Sequence, residues 1–187
     1  MAAKSTLMNM ALCLTAVCLI CSSLLAVSYA VTKDPIDQAK VLKTNKTIAE
    51  VLPEFSGDVV PATIEVGGVS YQYYEAPGAG YAVVSNTTGF GGQLSVMVGI
   101  ADGIVYNTKV LSHSETPGLG AKCQTDQKFL AQFRGFDPAA GRLAVTKDGG
   151  DVDAITASTI TSRAYTLAVA NAVNVYNEIV KGGQDNE

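Results

Sequence analysis

Charged residues are scarce in this sequence, and the shortage is local. Only 16% of the 187 residues are Asp, Glu, Lys or Arg, where about a quarter is usual. The segment between Lys4 and Lys33 contains no charged residue, which excludes it from the charged surface of a globular domain. The small net charge of -4 gives no reason to expect a nucleic acid partner.

Cysteine and histidine are too few for a metal site or a disulfide framework. Cys13, Cys18 and Cys21 lie in the uncharged segment, which leaves Cys123 as the single cysteine of the remaining chain, and His113 is the single histidine. We therefore expect no disulfide and no metal site in the domain. A hydrolase with a Cys123 nucleophile and a His113 base is disfavoured, because no third group is evident.

The uncharged segment is long enough to cross a membrane. It contains the run LMNMALCLTAVCLICSSLLAV, and about 20 apolar residues at 1.5 Å each span a hydrocarbon core of about 30 Å. A cleaved signal peptide is the alternative, because small residues flank Tyr29 at a spacing that suits a signal peptidase. The run exceeds the usual signal length, so we predict a single-pass anchor over residues 1–32. The flanking charges do not decide its orientation, and we expect the domain on the outer side because an anchor at the start of a chain, with a very short head, usually inserts that way.

The rest of the sequence predicts an α+β fold, with an antiparallel sheet flanked by helices. Residues 33–55 are expected to form a connecting helix, with Asp34 as its N-cap and Pro35 at its first position. Short β-rich runs around Gly67-Gly68 and Asp102-Gly103 predict hairpins in a domain over residues 56–187. Further elements are a helix over about residues 122–133, a weak strand at 143–146 and a long amphipathic helix over about 162–181.

Two loops carry the residue types of a cofactor site. The first, SHSETPGLG at residues 112–120, has Gly118 and Gly120, which allow a ligand to approach backbone N–H groups. The second, DAITASTITS at residues 153–162, places five hydroxyl side chains before the last helix, whose N-terminus favours a phosphate. Taken singly, each loop also fits a purely structural role, the first as a tight turn and the second as a helix cap.

Together the loops resemble a known family. SHSETPGLGAK followed by DAITASTITSRAYTLAV is similar to the FMN-binding domain of the G subunit of the Rnf electron-transport complex. It is also similar to the related C subunit of the sodium-pumping NADH:quinone oxidoreductase. The resemblance extends through GFGGQLSVMVGIADGIVYNTKVL and covers most of residues 33–181 as well as the anchor. The short chain and the compact segment after ETPGLG favour the Rnf type.

The resemblance implies an electron-relay subunit of an ion-translocating oxidoreductase complex that links ferredoxin and NAD. It implies a bacterial inner-membrane location, other subunits as partners, and a separate flavin transferase. The family's attachment signature matches Asp153, Thr156 and Thr159. It implies that FMN is joined through a phosphoester to the Thr159 hydroxyl, and that the transferase recognises Asp153.

One departure from the family pattern leaves alternatives open. The family usually has Gly-Ala before the acceptor, whereas this chain has Ala157-Ser158. Ala157 is unfavourable if that position needs a positive φ, and Ser158 and Thr161 are rival acceptor hydroxyls. A membrane-anchored scaffold without flavin therefore remains an alternative. In the first loop, the resemblance implies flavin contacts from Glu115, Thr116, Gly118, Leu119 and Gly120.

Overall fold

The computed structural model describes residues 7–55 and 57–184, in two units, Met1–Thr44 and Asn45–Glu187. Helix α1 (Leu7–Val51) forms the described part of the first unit and continues into the second. Its stretch Met8–Lys33 has a mean hydropathy of 2.5 and is long and apolar enough to cross a membrane. The residues of the predicted connecting helix up to Val51 belong to α1.

The predicted anchor is therefore present as one long apolar helix, a candidate membrane span, over the residues described. Residues 1–6 of the predicted anchor and 185–187 of the predicted domain lie outside the described residues. The predicted domain boundaries at residues 32 and 55 stay predictions.

The second unit is built on a five-stranded antiparallel sheet, which confirms the predicted fold class. Its strands follow chain order, so every connection is a hairpin. Gly67 and Gly68 have φ values of 60° and 78°, and Asp102 and Gly103 have values of 51° and 80°. These are the left-handed conformations that two-residue hairpin turns require. The strands are β1 (Val60–Val66), β2 (Val69–Ala76), β3 (Gly80–Thr88), β4 (Gln93–Ala101) and β5 (Ile104–His113).

Helices α2 (Gln127–Ala131) and α3 (Thr159–Gln184) share the main core with the sheet. Tyr165 of α3 is fully buried, and its hydroxyl donates a hydrogen bond of 2.7 Å to Thr108 of β5. Its ring also contacts Phe129 and Phe133. This packing fixes the first two turns of α3 against the middle of β5.

Two local predictions were wrong. The helix expected over residues 122–133 is divided into a 3-10 helix, Gly120–Gln124, and α2, because the Asp126 side chain caps α2 by accepting from the Lys128 and Phe129 N–H groups. The strand expected at 143–146 is only an isolated bridge between Val145 and Val152, followed by a 3-10 turn, Thr146–Asp148.

The second unit also contains the end of α1, which packs in a smaller core. Ile48, Val51 and Leu52 join side chains of β2, β3 and β4 there. A Cβ at Gly99 of β4 would overlap the Val51 carbonyl, so the helix lies directly on the strand backbone. Glu50 forms an ion pair of 2.8 Å with Lys109.

Candidate functional site

A cavity of about 370 Å³ opens where the two loops meet, at one end of the sheet. The β3–β4 connection contributes Phe90, since β3 ends and β4 begins at the same end as the last residues of β5. The first loop contributes four residues and the second contributes five consecutive residues. The lining is Phe90, Glu115, Thr116, Leu119, Gly120, Ala157, Ser158, Thr159, Ile160 and Thr161.

Most of the residues predicted for the site line this cavity, and three do not. Gly118, Thr156 and Asp153 are exposed and absent from the lining. Three lining residues, Phe90, Ala157 and Ile160, were not among the site residues predicted from the sequence. The signal that could have found Phe90 is an aromatic residue between glycines in TTGFGG, since such a residue in a loop is rarely core.

Glu115 is a buried carboxylate with one unused oxygen. Its side chain is 5% exposed, and Oε2 accepts hydrogen bonds from the Thr161 hydroxyl at 2.8 Å and the Gly91 N–H at 3.4 Å. Among the described residues, Oε1 has no partner. A Cβ at Gly120 or Gly89 would overlap this carboxylate. A buried acceptor without a partner is costly unless a ligand donates to it.

His113 positions the first loop. Its Nδ1 accepts a hydrogen bond of 3.2 Å from the Glu115 N–H, so the proton of the neutral ring is on Nε2, which donates to Gln124 Oε1 at 3.0 Å. Cys123 is fully buried, and burial, with the nearby Glu115 charge, raises the pKa of its thiol to about 11. A buried, protonated thiol is a poor nucleophile, so this geometry does not suit a hydrolase.

The second loop begins α3 with a strained residue. Ala157 has a φ of 63°, so the positive φ considered from the sequence is present. This conformation costs an L-residue about 1–2 kcal/mol. Ser158 is the N-cap, since its carbonyl accepts from the Ser162 N–H at 2.9 Å. The Ser158 hydroxyl, on a residue that is 6% exposed, has no partner among the described residues.

The three candidate acceptor hydroxyls have different surroundings. Thr161 is 1% exposed, and its hydroxyl donates to Glu115. Ser158 is buried, whereas Thr159 is half-buried and its Oγ1 lies 3.5 Å from Lys147 Nζ. Thr159 is therefore the most accessible of the three to another protein.

Asp153 is an exposed residue at the start of the second loop. Its backbone is clamped by Gln132, which accepts from the Asp153 N–H at 2.7 Å and donates to the Asp153 carbonyl at 3.1 Å. The clamp fixes the backbone of an exposed acidic residue.

The mouth of the cavity is apolar. Phe90, Leu119 and Ile160 are 68%, 46% and 51% exposed. Apolar side chains around a cleft with a few convergent polar groups are typical of sites for flat organic ligands. In the described part of the chain, no group of three or more His, Cys, Asp or Glu residues is placed to hold a metal ion.

Comparisons with known proteins point to one family. The family model described as FMN-binding domain matches residues 89–174, which include the cavity lining. The G subunit of an ion-translocating oxidoreductase complex from Methanosarcina acetivorans is 32% identical over 166 residues, 83% of this chain and 86% of that protein. The G subunit of a proton-translocating ferredoxin:NAD(+) oxidoreductase complex from Clostridium ljungdahlii is 32% identical over 167 residues, 86% of each chain.

A third relative is more similar over a shorter region. The G subunit of the ion-translocating oxidoreductase complex of Erwinia tasmaniensis is 42% identical over 109 residues, 54% of this chain and 51% of that protein. Together these matches confirm the resemblance that the two loops predicted.

Proposed function

Since this chain belongs to the family of G subunits of ion-translocating oxidoreductase complexes, we propose that it holds FMN in the cavity, attached covalently to Thr159. The isoalloxazine ring of FMN supplies the reversible uptake and release of electrons. The protein would hold the ring in place, surround it with apolar side chains and set the charge around it. The observation that carries the proposal is the half-buried Thr159 hydroxyl at the N-terminus of α3.

The cavity suits FMN in size and in polarity. Its volume of about 370 Å³ falls within the range of ligand sites. The apolar mouth formed by Phe90, Leu119 and Ile160 would cover the faces of the ring. The unpartnered Oε1 of Glu115 and the unpartnered hydroxyl of Ser158 would accept and donate hydrogen bonds to its polar groups.

The first turn of α3 suits the phosphate. The N–H groups of Thr159, Ile160 and Thr161 have no helical carbonyl four residues earlier to donate to, because α3 begins at Thr159. They carry the positive end of the helix dipole, which favours an anion. Thr159 would therefore present its hydroxyl where a phosphoester is electrostatically stabilised.

We also propose the setting in which this flavin works. The candidate span Met8–Lys33 would anchor the chain in a bacterial inner membrane, with the domain on the outer, periplasmic or extracellular, face. The Clostridium ljungdahlii relative is named for ferredoxin and NAD(+), which supports an Rnf-type complex and other subunits as electron partners. A covalent link would retain FMN where a dissociated molecule could not be replaced.

A separate flavin transferase would make this link. Asp153 is exposed and its backbone is clamped, so it offers a fixed negative charge for such an enzyme to recognise. Thr156, three positions before Thr159, is also exposed. These two residues lie outside the cavity, which suits contacts with a transferase better than contacts with bound flavin.

The test is the intact mass of the full chain co-expressed with a flavin transferase. We expect the wild type and Thr159→Ser to gain the mass of one FMN minus water, and Thr159→Ala to gain nothing. Added mass on Thr159→Ala would move the attachment to Ser158 or Thr161. Flavin that co-purifies without added mass would contradict the covalent link, and a wild type without flavin would indicate a scaffold.

A further inference from the structure

Lys147 lies beside the proposed acceptor, although neither loop contains it. Its Nζ is 3.5 Å from Thr159 Oγ1. It comes from the 3-10 turn Thr146–Asp148, twelve positions earlier in the chain. Nothing in the sequence around Lys147 indicates a ligand, so only the folded structure brings this ammonium group to the acceptor.

The turn that carries Lys147 is held in place on both sides. Asp148 forms two hydrogen bonds of 2.6 Å with Arg163, one turn into α3 from Thr159. The Thr146 N–H donates to the Val152 carbonyl at 2.8 Å. The backbone of Lys147 is therefore fixed relative to Thr159, and the ammonium group reaches Thr159 through a single flexible side chain.

The charges around the cavity leave a role for this lysine. Among the residues that the structure describes, the cavity lining contains the Glu115 carboxylate and no cationic side chain. Arg163 is paired with Asp148, whereas Lys147 forms no ion pair within residues 7–55 and 57–184. A phosphate near Thr159 would be repelled by Glu115 unless a cation offsets that charge.

A second, independent group points to the same place. The Ser158 hydroxyl, on a residue that is 6% exposed, lines the cavity and has no partner in the described part of the chain. It adjoins the first N–H groups of α3, which favour anions. A buried hydroxyl in this position is satisfied if it donates to a phosphate oxygen.

We propose that Lys147 is the positioning residue of a phosphate subsite, which it forms with the Ser158 hydroxyl and the first N–H groups of α3. This inference rests on the proposed function. The ligand is the phosphate of a flavin nucleotide, bound before attachment and retained afterwards as a phosphodiester. Lys147 offsets the charge of that phosphate beside Glu115 and holds it at Thr159 Oγ1.

The attachment step is a phosphoryl transfer. Thr159 Oγ1 forms a bond to the phosphorus of a flavin dinucleotide, and the phosphoanhydride bond of that donor breaks. The nucleotide leaving group departs with the electron pair of the broken bond. The hydroxyl proton passes to a base of the transferase or to water.

The first experiment measures the initial rate of FMN incorporation into the full chain, by intact mass, with limiting transferase. Lys147→Gln should be slower by about tenfold or more, because the variant loses a hydrogen bond between two charged groups. Lys147→Arg keeps the charge and should recover most of the rate. Lys128→Gln removes another exposed lysine, on α2, and should match the wild type.

The second experiment needs no transferase. In the Thr159→Ala chain, the dissociation constants of FMN and of riboflavin, which lacks the phosphate, are measured by fluorescence. Adding Lys147→Gln should weaken FMN about tenfold and leave riboflavin unchanged, a difference that salt should reduce. A general loss of structure would weaken both ligands alike, and unchanged melting temperatures exclude it.

The outcomes separate the two proposals. If the wild type gains no FMN and the Thr159→Ala chain binds neither flavin, the proposed function fails. If the wild type gains FMN and Lys147→Gln does so at the same rate, the phosphate subsite is overturned. A slower rate with an unchanged preference for FMN over riboflavin also overturns it, and assigns Lys147 to recognition by the transferase.

Discussion

The two loops of the site achieve unusual backbone conformations with different residues. The first loop has Gly118 at a φ of 76° and Gly120 where any Cβ would overlap Glu115. The second loop reaches a φ of 63° with Ala157, so it carries strain that glycine would relieve. The first loop is thus shaped at low cost around a buried carboxylate, whereas the second is strained directly before the proposed acceptor. Strain of this kind is commonly found at functional sites.

The largest effect in this comparison should come from Gly120→Ala. The added methyl group would overlap the Glu115 carboxylate and approach Thr161 Oγ1 at 2.9 Å. Overpacking of a buried site typically costs 1–3 kcal/mol, and we expect about 2–3 kcal/mol in the free energy of unfolding, with loss of FMN binding. Denaturant unfolding in detergent and flavin content check both effects.

Gly118→Ala is the matched control two residues away. Gly118 has a positive φ, but no atom of the described residues lies within 4 Å of an added Cβ, so only the strain of about 1 kcal/mol applies. This variant should keep its flavin. Equal losses for the two variants would show that the first loop depends on backbone freedom alone and not on space around Glu115.

Ala157→Gly should raise the free energy of unfolding, by less than Gly120→Ala lowers it. Relief of the left-handed strain, less the greater chain entropy of glycine, should stabilise the protein by about 0.5–1 kcal/mol. Asp102→Gly is the control, because Asp102 has a similar φ of 51° but is a residue type that tolerates it. A gain no larger than that of the control would show that Ala157 stores no strain specific to the second loop.

The smallest expected effect is that of the Glu115 charge, in the first loop, on the pKa of the Cys123 thiol. Burial first, and the Glu115 charge second, raise the pKa of the Cys123 thiol from 9.0 to about 11. The unfolded chain loses this proton first, so the thiol's contribution to stability is complete below about pH 9 and is lost as the pH rises through about 11. Alkylation of Cys123, followed by peptide mass spectrometry, should remain slow up to about pH 10.

Glu115→Gln should move the onset of Cys123 alkylation to lower pH, because it removes the secondary cause of the raised pKa. The shift should be modest, since burial is the larger cause. An onset at the pH of an ordinary exposed thiol in the wild type would mean that the chain around the first loop opens readily.

Local sequence patterns predicted an element correctly where its conformation depends only on the residues within one short segment. Asp102-Gly103 forms the expected turn because its conformation depends on two residues. The apolar stretch is helical, as its composition indicates. The expected helix over 122–133 failed because Asp126 caps a new helix within it, and an apolar pattern does not reveal which side chain will bond to the backbone.

The amino-acid sequence was enough to identify the family, through two loops whose residue types and order carry the resemblance, and to predict the apolar stretch and the hairpin sheet. The burial and hydrogen-bond partner of each candidate acceptor hydroxyl, in contrast, depend on contacts between distant segments. Thr161 donates to Glu115 across 46 positions of the chain, and Lys147 reaches Thr159 from a separate turn. Such contacts depend on how α3 packs against the sheet, which follows from the whole core and not from any local pattern.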